Sequence, residues 1–229
     1  MVSPASQPHS SAVEDYAKAI YALETRGGGE AVTTNALADR LGVTPGSASG
    51  MVRKLDELGL VTHVPYKGVV LTESGRKVAL EVLRHHRLME QFLAESLGMP
   101  WDRVHAEAEV LEHHISEELE ELIAAKLGNP THDPHGDPIP TRELEIEERD
   151  SEKLSALEPG EHGTFTRISD QDPAMLRYLS ERGISPGDRF EVVDKQPFDG
   201  PLFVRFGADE AVHVLGGALA AAMRVEVTR

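Results

Sequence analysis

The 229-residue sequence predicts a mainly α-helical chain that ends in an all-β domain, and three observations carry that prediction. Apolar residues recur at helical spacing through most of the first 127 positions. The stretch GNPTHDPHGDPIP at 128–140, with four prolines, then interrupts all regular patterning. From about Leu157 onward, short β-like runs separated by turn residues take over.

Tyr16, Ile20 and Leu23 share one face of a first helix, which Arg26 and the Gly27-Gly28-Gly29 run end. Thr34 is the expected N-cap of a short helix carrying Leu37, Ala38 and Leu41, and Gly42-Val43 makes the turn. Thr44 then caps a third helix and Pro45 opens it, where a missing N–H costs nothing. Its inward side reads Ala48, Met51 or Val52, Leu55 and Leu58, and Gly59 stops it. Leu60 to Pro65 and Val69 to Thr72 read as two strands around Tyr66-Lys67-Gly68. Helix, tight turn, helix and hairpin make a winged helix-turn-helix over residues 1–73.

The outward side of the third helix is chemically distinct. Thr44, Pro45, Ser47, Ser49 and Gly50 are small enough for the backbone to approach a major groove, while Arg53, Lys54 and the wing residue Lys67 reach phosphates. These eight are the candidate DNA-binding residues. No Gln or Asn stands among them, so shape and thymine-methyl contacts carry the expected readout. The bland alternative is a winged helix used for packing or protein contact.

Two long helices follow, at about 74–97 and 101–127, and residues 74–140 form a helical domain. The charge-rich 141–156 reads as a linker. Residues 157–229 read as a small β-barrel with strands near 163–168, 189–195, 202–206, 211–215 and 224–228, and one short helix near 173–182.

The formal charge is −16, with 23 basic and 39 acidic side chains, which at first argues against nucleic acid. Its distribution removes that objection. Residues 1–77 carry eight of each sign, so the remaining 15 basic and 31 acidic side chains hold the whole excess. No cysteine is present, which excludes disulfides, thiolate metal sites and thiol nucleophiles. The first ten residues lack a basic flank and an apolar run, and no stretch reaches 18 consecutive apolar residues. The expectation is a cytoplasmic protein with no membrane partner.

His105, Glu109, Glu112 and His113 lie on one stripe if they share a helix, and Glu109, Glu112 and His113 at i, i+3, i+4 can converge on one ion. His86 and Glu90 repeat the i, i+4 arrangement on the preceding helix, and Asp15 adds a carboxylate from the first. An acidic, solvated helix with surface histidines fits the same spacing, since Glu117, Glu118, Glu120 and Glu121 follow at once. Spacing alone does not choose. His132, Asp133, His135 and Asp137 invite a metal reading as well, but a proline-rich linker commonly carries such residues for solubility, and that is the favoured reading.

The residues resemble a known family. VEDYAKAIY at 13–21, LADRLGVTPGSASGMVRKLDELGLV, the wing YKGVVLTESGR, RHHRLMEQFL, VHAEAEVLEHHISEELE and DPHGDPIP are similar, in order and spacing, to the diphtheria toxin repressor (DtxR/MntR) family of metal-dependent transcriptional regulators. More narrowly they resemble its manganese-responsive, actinobacterial branch. The resemblance implies a winged helix, a helical metal-binding and dimerisation domain, and an SH3-like (FeoA-like) barrel. It places a primary metal site on Asp15, Glu109, Glu112 and His113. It places a second on His86, Glu90 and His105, completed by Asp170, since Arg167 beside it cannot bind a metal.

The implied function is a metal-activated dimeric repressor of metal-homeostasis genes that binds double-stranded operator DNA and takes no small-molecule substrate. Iron-responsive relatives carry sulfur ligands at the positions of Asp15 and Glu109. Three carboxylates and one imidazole suit Mn2+, with Fe2+ or other divalent transition metals as alternatives. Lys18, one turn after Asp15, departs from members with a carboxylate there and argues against a closely bridged pair of ions. An iron-dependent repressor, a di-metal enzyme and an adaptor built on the SH3-like domain are the competing readings.

Overall fold

In the computed structural model, which describes residues 9–147, 150–169, 172–198, 200–207 and 211–228, the first helix begins at a polar start and buries a regular stripe. On α1 (Ser11–Arg26), Val13, Tyr16, Ala17, Ile20, Tyr21 and Glu24 are buried, the 3-4 spacing of one helix face. Glu24 is the polar exception. Its carboxylate accepts from Leu71 N at 2.7 Å and from Arg76 Nη2 at 3.2 Å, so the buried charge is fully engaged. α2 (Thr34–Leu41) is capped by Thr33, one residue before the expected cap, and Gly42 at φ 64° turns the chain into the next helix.

In α3 (Pro45–Glu57) Thr44 accepts from Ser47 N, and Ala48, Val52 and Leu55 face inward. Leu58, expected on that side, is exposed because the helix ends at Glu57. The wing is β1 (Val61–Val64) paired antiparallel with β2 (Gly68–Leu71). Val32 and Val69 exchange backbone hydrogen bonds at 2.8 and 3.0 Å, and a Cβ on Gly68 would stand 2.1 Å from Val32 O, so only glycine lets the wing approach that closely.

The chain divides into two compact units. One comprises Met1–His85 with Glu112–Ile115 and Pro140–Glu145, and its core gathers Ile20, Leu37, Leu55 and Leu80. The other comprises His86–Leu111, Ser116–Ile139 and Ile146–Arg229. α4 (Glu73–Leu97) contributes to both.

The expected single helix over 101–127 is instead three pieces: α5 (Val104–Leu111), a 3-10 turn at Glu112–His114, and α6 (Glu117–Lys126). Ser116 accepts from Leu119 N, and Glu117, Glu118 and Glu120 fill the first turn of α6, a helix start written in the sequence. Hence His105, Glu109, Glu112 and His113 do not share one helical stripe.

In the second unit a six-stranded sheet runs in the order β3-β8-β4-β5-β6-β7, each neighbouring pair antiparallel. Its strands are β3 (Glu152–Lys153), β4 (His162–Ile168), β5 (Arg189–Lys195), β6 (Leu202–Phe206), β7 (Val212–Leu215) and β8 (Met223–Val227). α7 (Pro173–Ser180) and α8 (Gly217–Ala222) complete the domain around Phe165, Leu176, Leu202 and Met223. β3 and Leu154, which is fully buried in this core, lie in the stretch expected to be linker, and α8 was not expected. Both are too short to show a period. No helix among the described residues is long and apolar enough to cross a membrane.

Candidate metal centre and DNA-facing surface

The first cluster lies within the winged-helix unit. Asp15 projects from α1, and Glu112 and His113 come from the 3-10 turn; one donor atom from each lies within 4.8 Å of the others. His113 Nε2 is 2.9 Å from Asp15 Oδ1 and 3.4 Å from Glu112 Oε1. On the other side of the ring Nδ1 donates to Glu14 Oε2 at 2.6 Å. The sequence reading missed Glu14, although its place beside Asp15 was visible.

Glu112 is buried (1% exposed); its backbone carbonyl accepts from His85 Nδ1 at 3.1 Å, and Lys18 Nζ lies 2.6 Å from Oε1. Burial pushes the Asp15 carboxyl up, although His113 and Lys18 pull it down. Carboxylate and imidazole donors converging around a buried Glu112, with Asp15 at the water side, suit a hard divalent ion.

A second cluster lies in the other unit. His86 Nε2 is 3.0 Å from Glu90 Oε1 and 3.1 Å from His105 Nδ1, and His105 Nδ1 is 3.1 Å from the same carboxylate oxygen. Glu109, which the resemblance groups with Asp15, is placed here: its Oε1 lies 3.6 Å from His86 Nδ1 and 3.9 Å from His105 Nε2. The helix break after Leu111 separates it from Glu112. Asp170 lies outside the described residues.

Glu90 has a second group of neighbours. Asp133 and His135, on the stretch expected to be linker, are buried against it and form a third group of donors. His135 Nε2 donates to the Trp101 carbonyl at 2.8 Å, and its Nδ1, 3.7 Å from Glu90 Oε2, has no hydrogen-bond partner. Asp133 accepts from the backbone N–H groups of His135 and Asp137 at 2.8 and 2.9 Å.

Burial pushes the Glu90 carboxyl up, but His86, His105 and His135 overcome it and hold the group well below the usual range. Burial and its acidic neighbours raise Asp133 well above that range despite Arg87 and His135. His135 is raised to about 9: burial opposes its charge, and Glu90, Asp133 and the Trp101 carbonyl outweigh burial.

The eight candidate DNA-binding residues, Thr44, Pro45, Ser47, Ser49, Gly50, Arg53, Lys54 and Lys67, are all exposed. Thr44 and Ser47 hydroxyls pair at 2.9 Å, and Ser49 Oγ donates to Pro45 O at 2.8 Å, which keeps this face low. A Cβ on Gly50 would meet nothing within 4 Å. Tyr66, fully exposed at the wing tip with φ 61°, stands beside Lys67 and is not among the eight.

Comparison with known proteins accounts for each part. Residues 9–69 match the iron dependent repressor N-terminal DNA binding domain, 72–141 the iron dependent repressor metal binding and dimerisation domain, and 152–227 the FeoA domain. The chain is 40% identical over 129 residues to the iron-dependent repressor IdeR of Mycobacterium tuberculosis, a match spanning 56% of this chain and 54% of that protein, about half of each. To the diphtheria toxin repressor of Corynebacterium efficiens it is 30% identical over 194 residues, 80% of this chain and 83% of that one. A solved manganese-dependent transcriptional repressor in complex with manganese is 43% identical, with a TM-score of 0.83 over 93% of this chain and 98% of that one. With residues 9–69, 72–141 and 152–227 matched in order by the family's domains, the chain belongs to the diphtheria toxin repressor family of metal-dependent repressors.

Proposed function

We propose that this chain is a manganese-responsive transcriptional repressor that binds operator DNA as a homodimer and controls genes of metal-ion homeostasis. The carrying observation is the Asp15–Glu112–His113 cluster, which ties α1 of the DNA-reading unit to a turn from the metal-binding segment. A bound ion supplies concentrated positive charge at that point.

The side chains do the rest. Asp15 and Glu112 offer opposing carboxylates, and His113 offers Nε2 while Glu14 holds its Nδ1–H. Drawing these three together fixes α1, whose buried stripe shares a core with α2 and α3. In a two-fold dimer the two α3 helices must meet half-sites about one helical turn (~34 Å) apart, so a small hinge error weakens both contacts. A coupling of about 1–3 kcal/mol changes DNA affinity roughly 5- to 150-fold.

The donor sets of the clusters contain no sulfur, which favours Mn2+ over an iron response, and the likeness to a manganese-dependent repressor supports the same choice. A second ion is held at Glu90, the carboxylate shared by His86 and His105 on one oxygen and by His135 on the other. The reading needs no membrane and no small-molecule substrate, and it places the protein with the DNA in the cytoplasm.

The test is a DNA-binding titration with Mn2+ and Fe2+ under anaerobic conditions, on operator fragments selected from genomic DNA. Full activation by Mn2+ and weaker activation by Fe2+ is the expected result. Activation by Fe2+ alone assigns the iron response, and DNA binding indifferent to both metals and to a chelator removes the reading.

A further inference from the structure

We infer that Lys18 is a built-in rival of the metal ion for Glu112 and sets the ion concentration at which the sensor responds. The inference rests on the proposal that an ion binds at Asp15, Glu112 and His113. Lys18 stands three residues after Asp15 on α1, so the two side chains leave the same helix face. Its Nζ is 2.6 Å from Glu112 Oε1, and the pair is secluded: the Lys18 side chain is 15% exposed and that of Glu112 0%.

The contested atom is specific. Glu112 Oε1, the oxygen paired with Lys18, is also the one 3.4 Å from His113 Nε2. An ion held by His113 Nε2 and Asp15 Oδ1 draws on that same oxygen. Two cations on one carboxylate oxygen repel strongly where water screens little, so ammonium and ion exclude each other. A carboxylate this buried needs a cationic partner, and Lys18 supplies one without an ion.

Lysine suits the exchange. Its ammonium is a compact, strongly hydrated charge on a flexible four-carbon stem, which can swing to solvent when displaced. The ion therefore does not enter a cluster of mutually repelling carboxylates; it replaces a tethered cation, which weakens its apparent affinity and raises the response threshold.

Two measurements on the full chain test this. In the parent protein, acetylation of surface amines followed by mass spectrometry should modify Lys18 several-fold faster with Mn2+ than with chelator; an unchanged or slower rate overturns the inference. In Lys18→Met, Mn2+ affinity at this site should rise about tenfold or more, while the charge-retaining Lys18→Arg should stay near the parent. Unchanged or weaker Mn2+ binding by Lys18→Met also overturns it. Asp15→Ala separates the two levels. If that variant leaves Mn2+ binding intact, the ion is not held here and the site assignment itself falls; if it abolishes binding at this site but Lys18→Met changes nothing, only the rivalry falls.

Discussion

His113 Nδ1 donates to Glu14 across 2.6 Å, and this one contact turns Nε2 toward Asp15 and Glu112. Orienting partners of this kind commonly change metal affinity by about 10- to 100-fold when removed. Glu14→Ala should accordingly weaken Mn2+ binding by that order while leaving the winged helix folded. The free-ion electron paramagnetic resonance signal, followed through a Mn2+ titration, measures it; parent-like affinity would show that His113 is oriented by something else.

Glu109 and Glu112 show what spacing can and cannot deliver. Their i, i+3 relation was read on one continuous helix, but α5 stops at Leu111 and the two carboxylates join different clusters. The cause was legible: Ser116 followed by an acidic first turn is a helix start. The outcome was not, because which neighbour each carboxylate meets depends on packing distant in sequence. Ser116→Ala should cost about 1 kcal/mol of stability by removing the cap. If the break also presents Glu112 and His113 to α1, the variant loses Mn2+ affinity as well, which calorimetry on the same sample reads directly.

The 128–140 stretch taught the opposite lesson. Its prolines correctly excluded helix and strand, yet His135 is fully buried and its carbonyl accepts from Ile168 N of β4 at 2.9 Å. A local pattern cannot report that a loop is covered by a strand thirty positions later. Gly136 marks the contact: at φ 85°, a Cβ there would stand 1.9 Å from Thr166 O. Gly136→Ala should destabilise this unit by about 2–4 kcal/mol, from strain and overpacking together. A lowered melting temperature with unaltered metal binding at Asp15 is the expected pattern.

The buried groups around Glu90 set a pH optimum for the chelator-treated protein. His135, raised from an ordinary 6.5 to about 9, contributes stability that is complete below 6.5 and lost as pH rises through 9. Asp133, also raised, likewise loses its contribution with rising pH. Glu90, lowered, contributes above the ordinary carboxylate range and loses that as pH falls. Stability should therefore peak in the ordinary carboxylate range, near about pH 4–4.5, and decline from there toward pH 9 by an amount on the order of a few kcal/mol. Denaturant unfolding across pH checks this, and His135→Gln should flatten the alkaline limb.

Gly50 lies on the proposed DNA-reading face of α3, beside the exposed Ser47, Ser49, Arg53 and Lys54. Residues 1–77, which carry it, are electrically balanced, since all of the −16 lies behind residue 77, so close backbone approach must do much of what added positive charge does elsewhere. Nothing within 4 Å would meet a Cβ at Gly50, and a helix-interior glycine costs about 1 kcal/mol relative to alanine. Gly50→Ala should thus raise stability by about that amount. Gly50→Leu should keep the fold equally well yet project a bulky side chain into the groove, lowering operator affinity by about tenfold or more at saturating Mn2+. Fluorescence anisotropy with labelled operator, beside thermal melts of both variants, separates the two effects. Parent-like DNA binding by a well-folded Gly50→Leu protein would mean that α3 does not enter the groove through this face.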